Sequence, residues 1–214
     1  MSEQNVTVKN VVFDIGNVLV QWQPVYITDN CFPEEFLPPL ILRKIFQSPI
    51  WFDLNLGKIT EFEAVKLYSQ ELNISADKLI RVFRKNLLSL MPIKGSVELL
   101  NDLHELNIPL YSLTDNSREI VEFLKKKYGF FKKFIDIVVS HELGTAKPDE
   151  RIYRYLLEKH NLIAAETVFI DDMAQNIDGA KKVGMLAINF KNAEICRKQL
   201  KLLGITKLKM KENG

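Results

Sequence analysis

The 214 residues are 47% hydrophobic, enough to bury a sizeable core as one large domain or as a domain with an insert. Lysine and arginine number 29 against 27 acids, so the net charge of +2 leaves no electrostatic footprint for nucleic acid or an anionic membrane. Cys31 and Cys196 form neither a disulfide framework nor a metal spacing, Met1 to Asn10 lacks a signal-type apolar core, and no apolar stretch reaches membrane-span length, so the expectation is a soluble cytoplasmic protein.

In chain order, the first element is an apolar strand, Val11-Val12-Phe13, with Asp14 at its end, Gly16 two residues later and a second apolar run, Val18-Leu19-Val20. Gln21 to Pro24 breaks the pattern. The next stretch reads as helical: Glu34 to Phe46, then Thr60 to Leu72 with Thr60 and Glu63 spaced as a capping box. A third helix is predicted over Ser75 to Leu90, with Ser75 as cap and Leu79, Val82, Phe83 and Leu87 on one face. Trp51 and Phe52, near Gly57, read as core of this helical stretch. About 70 residues here are far more than a crossover needs, which predicts a helical insert, or cap, over the sheet edge.

From Gly95 strand and helix alternate. Ser96 to Leu106 is helix, Ile108 to Leu113 a strand ending at Thr114-Asp115-Asn116, and Arg118 to Tyr128 helix. Asp136 to Ser140 is a strand, followed by a loop from His141 to Pro148 that contains Lys147. Asp149 to His160 is helix, Thr167 to Ile170 a strand ending in Asp171-Asp172, Asn176 to Val183 helix, and Met185 to Phe190 the last strand. The Lys-rich tail from Lys207 reads as frayed. Such alternation predicts an α/β protein with a parallel sheet covered by helices on both faces.

Asp14, Thr114 and Asp171-Asp172 each follow a strand, and Lys147 lies in the loop after another. In a parallel sheet those ends share one edge, so the groups can converge there. Carboxylates held close repel unless a cation sits among them, and oxygen ligands completed by water suit Mg²⁺. A lysine facing the same point would offset charge on a phosphoryl group, and a threonine hydroxyl would donate a hydrogen bond to it. One carboxylate is then left as nucleophile, forming an acyl-phosphate that water hydrolyses. Each piece has a structural alternative. Asp14 can be a turn residue, Lys147 an exposed loop lysine, and Asn116 with Glu119 a capping box for the next helix.

This order of motifs resembles the haloacid dehalogenase superfamily over essentially the whole chain outside the insert. Phe13-Asp14-Ile15-Gly16-Asn17-Val18-Leu19 is similar to its first motif, Leu113-Thr114-Asp115 to the second, and Lys147-Pro148 to the third. Ile170-Asp171-Asp172, with Asn176, Asp178 and Gly179, is similar to the fourth. The resemblance implies a Rossmann-like three-layer sandwich, with residues 1–20 and 92–214 as catalytic core and 21–91 as inserted helical cap. It also implies Mg²⁺ held by Asp14, the Gly16 carbonyl, Asp171 and Asp172. Asp14, Thr114 and Lys147 are then catalytic, and Thr114, Asp115 and Lys147 substrate-binding.

One departure stands out. Most phosphatases of this family carry a second Asp two residues after the nucleophile as general acid and base, and here that position is Gly16. General acid–base assistance is typically worth roughly 10²- to 10⁴-fold, so its loss favours phosphates whose leaving group needs little protonation. The Gly16-Asn17 opening resembles bacterial sugar-phosphate phosphatases, including those acting on glucose 1-phosphate. The expected function is a Mg²⁺-dependent phosphatase of a small phosphorylated metabolite, a sugar phosphate favoured, acting through an aspartyl-phosphate on Asp14. The alternatives are a metal-independent 2-haloacid dehalogenase and a degenerate member that binds a phosphorylated ligand or a partner protein. No G-x-x-x-x-G-K-[ST] or G-x-G-x-x-G motif is present, and His104, His141 and His160 are not spaced as a zinc set. Oligomeric state is not legible from the sequence.

Overall fold

The computed structural model describes residues 8–24 and 37–209. Its strands are β1 (Asn10–Phe13), β2 (Leu110–Thr114), β3 (Asp136–Val139), β4 (Thr167–Asp171) and β5 (Leu186–Asn189). Between β1 and β2 run α1 (Pro39–Phe46), α2 (Pro49–Asn55), α3 (Glu61–Leu72), α4 (Ala76–Ser89) and α5 (Lys94–Glu105). Next comes α6 (Arg118–Lys127), between β2 and β3; α7 (Ser140–Leu143) and α8 (Glu150–Lys159) lie between β3 and β4. The last two are α9 (Ala174–Lys182), before β5, and α10 (Ala193–Leu202), after it.

The strands form one parallel sheet in the order β3-β2-β1-β4-β5. Side chains alternate across it, as the two-residue period of a strand requires. Val11 and Phe13 join Leu110, Ile137 and Ile170 on one face, beneath α5, α6 and α10. Val12 joins Leu113, Val138 and Phe169 on the other, beneath α8 and α9. Two buried faces explain why the strands read as continuous apolar runs. The predicted three-layer α/β Rossmann-like fold is what the chain adopts.

Several elements differ from their sequence reading for identifiable reasons. Pro49 looks like a helix breaker but occupies the first turn of α2, where its missing N–H costs nothing, and Ser48 Oγ accepts from Trp51 N at 3.1 Å. The loop predicted from His141 contains the single turn of α7, too short to show a period. α10 falls where no element is expected, because its buried face includes Arg197, ion-paired to Asp102, which masks the apolar repeat. The tail is held further than expected: Leu208 is buried and Arg197 Nη1 donates to the Lys209 carbonyl at 3.1 Å. The Thr60–Glu63 capping box forms, whereas Ser75 sits at the N-cap of α4 without capping it through its side chain. Cys31 and the start of the predicted Glu34–Phe46 helix lie outside the described residues.

Helices α1–α4 pack around an aromatic cluster in which Trp51 meets Phe46 at 4.9 Å and Phe83 at 5.8 Å between ring centroids. Trp51 is thus core, as expected, but Phe52 is 54% exposed. The segments that join these helices to the sheet run side by side: Gln21 N donates to the Met91 carbonyl at 2.8 Å and Ile93 N to the Leu19 carbonyl at 2.9 Å. At the far end of α2, Gly57 has φ +67°, and a Cβ there would lie 2.2 Å from the His141 carbonyl oxygen. Only glycine allows that turn and that approach together.

Candidate active site

In the order β3-β2-β1-β4-β5 the chain reverses direction across the sheet between β1 and β4, the switch point where open α/β sheets bind ligands. Phe13 pairs with Ile170 across β1 and β4, so Asp14 and Asp171 leave the sheet side by side. Phe13 pairs with Ser112 on the other flank, which sets Thr114 one residue deeper along the same edge. Lys147 comes from the α7–α8 loop. That loop packs so tightly on α9 that a Cβ at Gly179 would lie 2.8 Å from the Pro148 carbonyl oxygen.

Lys147 Nζ sits 2.8 Å from both Asp14 Oδ1 and Asp171 Oδ2, and donates to the Leu113 carbonyl at 3.2 Å. Asp171 is fully buried and satisfied: Oδ1 accepts from Met173 N at 2.7 Å, and Asn176 Nδ2 lies 3.0 Å from Oδ2. Asp172 Oδ2 accepts from Asn17 Nδ2 at 3.3 Å. Asn17, at φ 53°, also receives Trp22 N on Oδ1 at 2.9 Å and so fixes the first turn with both ends of its amide. Thr114 Oγ1 accepts from Asn116 Nδ2 at 2.6 Å, leaving its own proton free to donate. Asp115 Oδ1 accepts from the Lys147 backbone N–H at 3.1 Å and so braces the lysine loop.

Electrostatically the cluster carries too much negative charge. Burial pushes the Asp14 carboxyl up to about 7, and neighbouring Asp171 pushes the same way while Lys147 opposes. Burial likewise raises Asp115 and Asp172. Burial pushes the Lys147 ammonium down, but the Asp14, Asp115 and Asp171 charges outweigh it and hold the ammonium well above the usual lysine range. Asp14, Asp171 and Asp172 each present an oxygen, and these atoms all lie within 4.8 Å of one another. One lysine cannot balance that set, and buried oxygen donors with surplus negative charge match a hard divalent cation.

A pocket of about 170 Å³ opens above these groups and is lined by Asp14, Gly16, Thr114, Asp115, Lys147 and Asp172 among others. The residues predicted for the site therefore meet, with Asp171 buried just beneath. The Asn116–Glu119 capping box does not form: Ser117 holds the N-cap of α6, and the Asn116 side chain turns to Thr114 instead. Sequence reasoning missed Trp22, Asn55, Leu90, Ile120, Leu124 and Met173, which line the pocket together with Trp51. A tryptophan in the polar break after the first strand was the available signal for Trp22. For Asn55 there was none, since α2 itself was not visible.

A doubly wound α/β sheet with acids and a lysine gathered at its switch point defines the class. A profile of the haloacid dehalogenase-like hydrolases matches residues 8–184, and the chain belongs to that family. It is 26% identical over 199 residues to the sesquiterpene phosphatase astK of Aspergillus oryzae, covering 92% of this chain and 98% of that one. To the D-ribitol-5-phosphate phosphatase of Bacteroides thetaiotaomicron it is 24% identical over 212 residues, covering 92% and 98%. Among solved structures, a haloacid dehalogenase family enzyme of that bacterium, in complex with magnesium and inorganic phosphate, superposes with a TM-score of 0.67 at 20% identity, covering 86% of this chain and 94% of that one. The L-2-haloacid dehalogenase of Xanthobacter autotrophicus does so with 0.63 at 19%, covering 97% and 90%. At these identities the solved structures share the fold alone. Among the described residues no helix is long and apolar enough to cross a membrane.

Proposed function

We propose that this chain is a Mg²⁺-dependent phosphatase of a small phosphorylated metabolite, with Asp14 as nucleophile. The observation that carries this is the surplus of buried carboxylate oxygens around Lys147 at the mouth of a pocket. A halide-displacing site has no use for such a cation cradle, which counts against the dehalogenase alternative. Asp14, the Gly16 carbonyl, Asp171 and Asp172 would hold Mg²⁺, and that ion supplies charge neutralisation for the phosphoryl oxygens when bound. Lys147 and the Thr114 hydroxyl orient the phosphoryl group so that Asp14 attacks phosphorus as the ester P–O bond breaks. The leaving alkoxide takes its proton from water, and a second water then cleaves the aspartyl-phosphate to release phosphate and free Asp14. The described helices of the insert, α1–α4, act as a cap over the sheet edge that excludes water. Two phosphatases of different substrates stand at similar identity to this chain, so similarity alone does not select the metabolite. The sugar-phosphate expectation rests on the Gly16-Asn17 resemblance.

Metal removal tests the cradle. A carboxyl whose pKa is raised on folding, here from 3.8 to about 7, contributes stability fully present below pH 3.8 and lost as pH rises through about 7. The metal-free protein therefore carries the Asp14 penalty in full at pH 8 and hardly at all at pH 4. Saturating Mg²⁺ should raise the melting temperature more at pH 8 than at pH 5, and Asp14→Asn should flatten that difference. An equal Mg²⁺ effect at both pH values, or one unaffected by Asp14→Asn, counts against the site.

Gly16 offers a second test. A Cβ there would meet only Trp22 Cβ, at an ordinary 3.7 Å, and its backbone is not in the left-handed region. The backbone and the space at Cβ therefore admit a side chain at this position. Wild-type turnover should fall steeply as leaving-group pKa rises from phenyl to benzyl phosphate. Gly16→Asp should recover up to about 10²-fold on benzyl phosphate with little change on phenyl phosphate. A flat leaving-group dependence in the wild type would contradict this reading.

A further inference from the structure

Above its charged floor the pocket is apolar. Trp22 and Trp51 stack at 5.8 Å with 22° between ring planes, and Leu90, Ile120 and Leu124 continue the wall. Outside the strand-end loops the polar side chains that line it are Asn176 on α9, whose amide donates to Asp171 in the floor, and Asn55 on α2, beside the apolar wall. The Asn55 Oδ1 atom is buried with no hydrogen-bond partner among the described residues. The Asn55 main chain is fixed, because its carbonyl accepts from Ser140 Oγ at 2.6 Å, and Ser140 Oγ also accepts from Asn116 N at 3.1 Å. A buried acceptor left unpaired is a costly feature unless a ligand donor meets it.

A sugar would bring several hydroxyls against this wall, and most would lose water without gaining a partner. An apolar body loses nothing there and gains from leaving water. The volume also limits the choice: the whole pocket is about 170 Å³ and the phosphoryl group takes part of it, while an apolar cavity of about 150 Å³ takes in benzene, so the enclosed part of the alcohol is at most about one ring. Resting on the phosphatase reading of the floor, we propose that the ester cleaved here carries an apolar, ring-bearing alcohol, packed beside Trp51 and offering one hydrogen-bond donor to Asn55 Oδ1.

Benzyl phosphate and glucose 6-phosphate test this cleanly, since both are esters of primary alcohols and the leaving-group chemistry is matched. With Mg²⁺ present, kcat/KM for benzyl phosphate should exceed that for glucose 6-phosphate by at least about ten-fold. A 4-(hydroxymethyl)benzyl ester adds the donor. Asn55→Leu should lower its kcat/KM relative to benzyl phosphate by about three- to ten-fold, chiefly through KM. The chain's two tryptophans, Trp22 and Trp51, both line the pocket, so their fluorescence reports binding without turnover. Equal or faster hydrolysis of glucose 6-phosphate overturns the apolar-alcohol proposal and leaves the phosphatase reading standing. Hydrolysis of no ester, with benzyl phosphate still changing the fluorescence, overturns the phosphatase reading and supports the pocket. No fluorescence change with benzyl phosphate overturns the pocket assignment itself.

Discussion

Asp14→Asn should abolish turnover, by at least about 10⁴-fold, because an amide oxygen cannot serve as the covalent nucleophile. The fold should survive. Asparagine matches aspartate in shape, and the residue removed is one whose ionised form burial already disfavours, as its pKa near 7 records. Lys147 keeps its contact with Asp171 at 2.8 Å, so no buried cation is stranded. The metal-free variant should therefore melt no lower than the wild type at pH 8. Asp14→Ala, which cannot revert by deamidation, guards the kinetic measurement. Activity within ten-fold of wild type in either variant would remove Asp14 from the chemistry and with it the aspartyl-phosphate.

Lys147→Met should harm both stability and rate. The lysine is the cation in contact with Asp14 and Asp171, its side chain is only 2% exposed, and it also ties down the Leu113 carbonyl. Removing one partner from a buried ionic cluster typically costs about 3–5 kcal/mol, since the charges left behind have neither water nor a counterion. Turnover should fall by about 10²- to 10³-fold, the usual scale for losing one preorganised donor to developing charge. Pairing the change with Asp171→Asn distinguishes a specific cluster from a general packing defect. The two substitutions relieve the same imbalance, so the double variant should lose less stability than the sum of the singles. Strict additivity by chemical denaturation would show that the lysine and the acids do not act as a unit.

Much of this site was legible because strand ends are local features. Phe13 is apolar and buried, and the acid that follows it has nowhere to go but the sheet edge; the same holds for Ile170 before Asp171. Parallel alternation then forces those ends together, whatever lies between them. Asn116 shows where locality fails. Its spacing to Glu119 satisfies the capping-box rule, yet Thr114 lies closer to hand and Ser117 already holds the N-cap. Trp51 shows a second limit. Its place in the helical stretch marked it as core, which it is, but the same residue also borders the pocket, a fact set by how α2 is seated against α7.

The chain's own order of residues thus determined the α/β alternation, the helical insert and the acids, threonine and lysine available to one edge, because periodicity and strand-terminal chemistry are written within a few positions of each residue. Tertiary structure alone decided that Lys147 reaches Asp14 and Asp171 together, that Asn17 braces Asp172 from 155 positions away, and that the apolar wall above them includes Asn55 with its amide oxygen idle. Those contacts join segments whose proximity depends on sheet register and on the seating of one helix, and neither leaves a mark on the neighbouring residues.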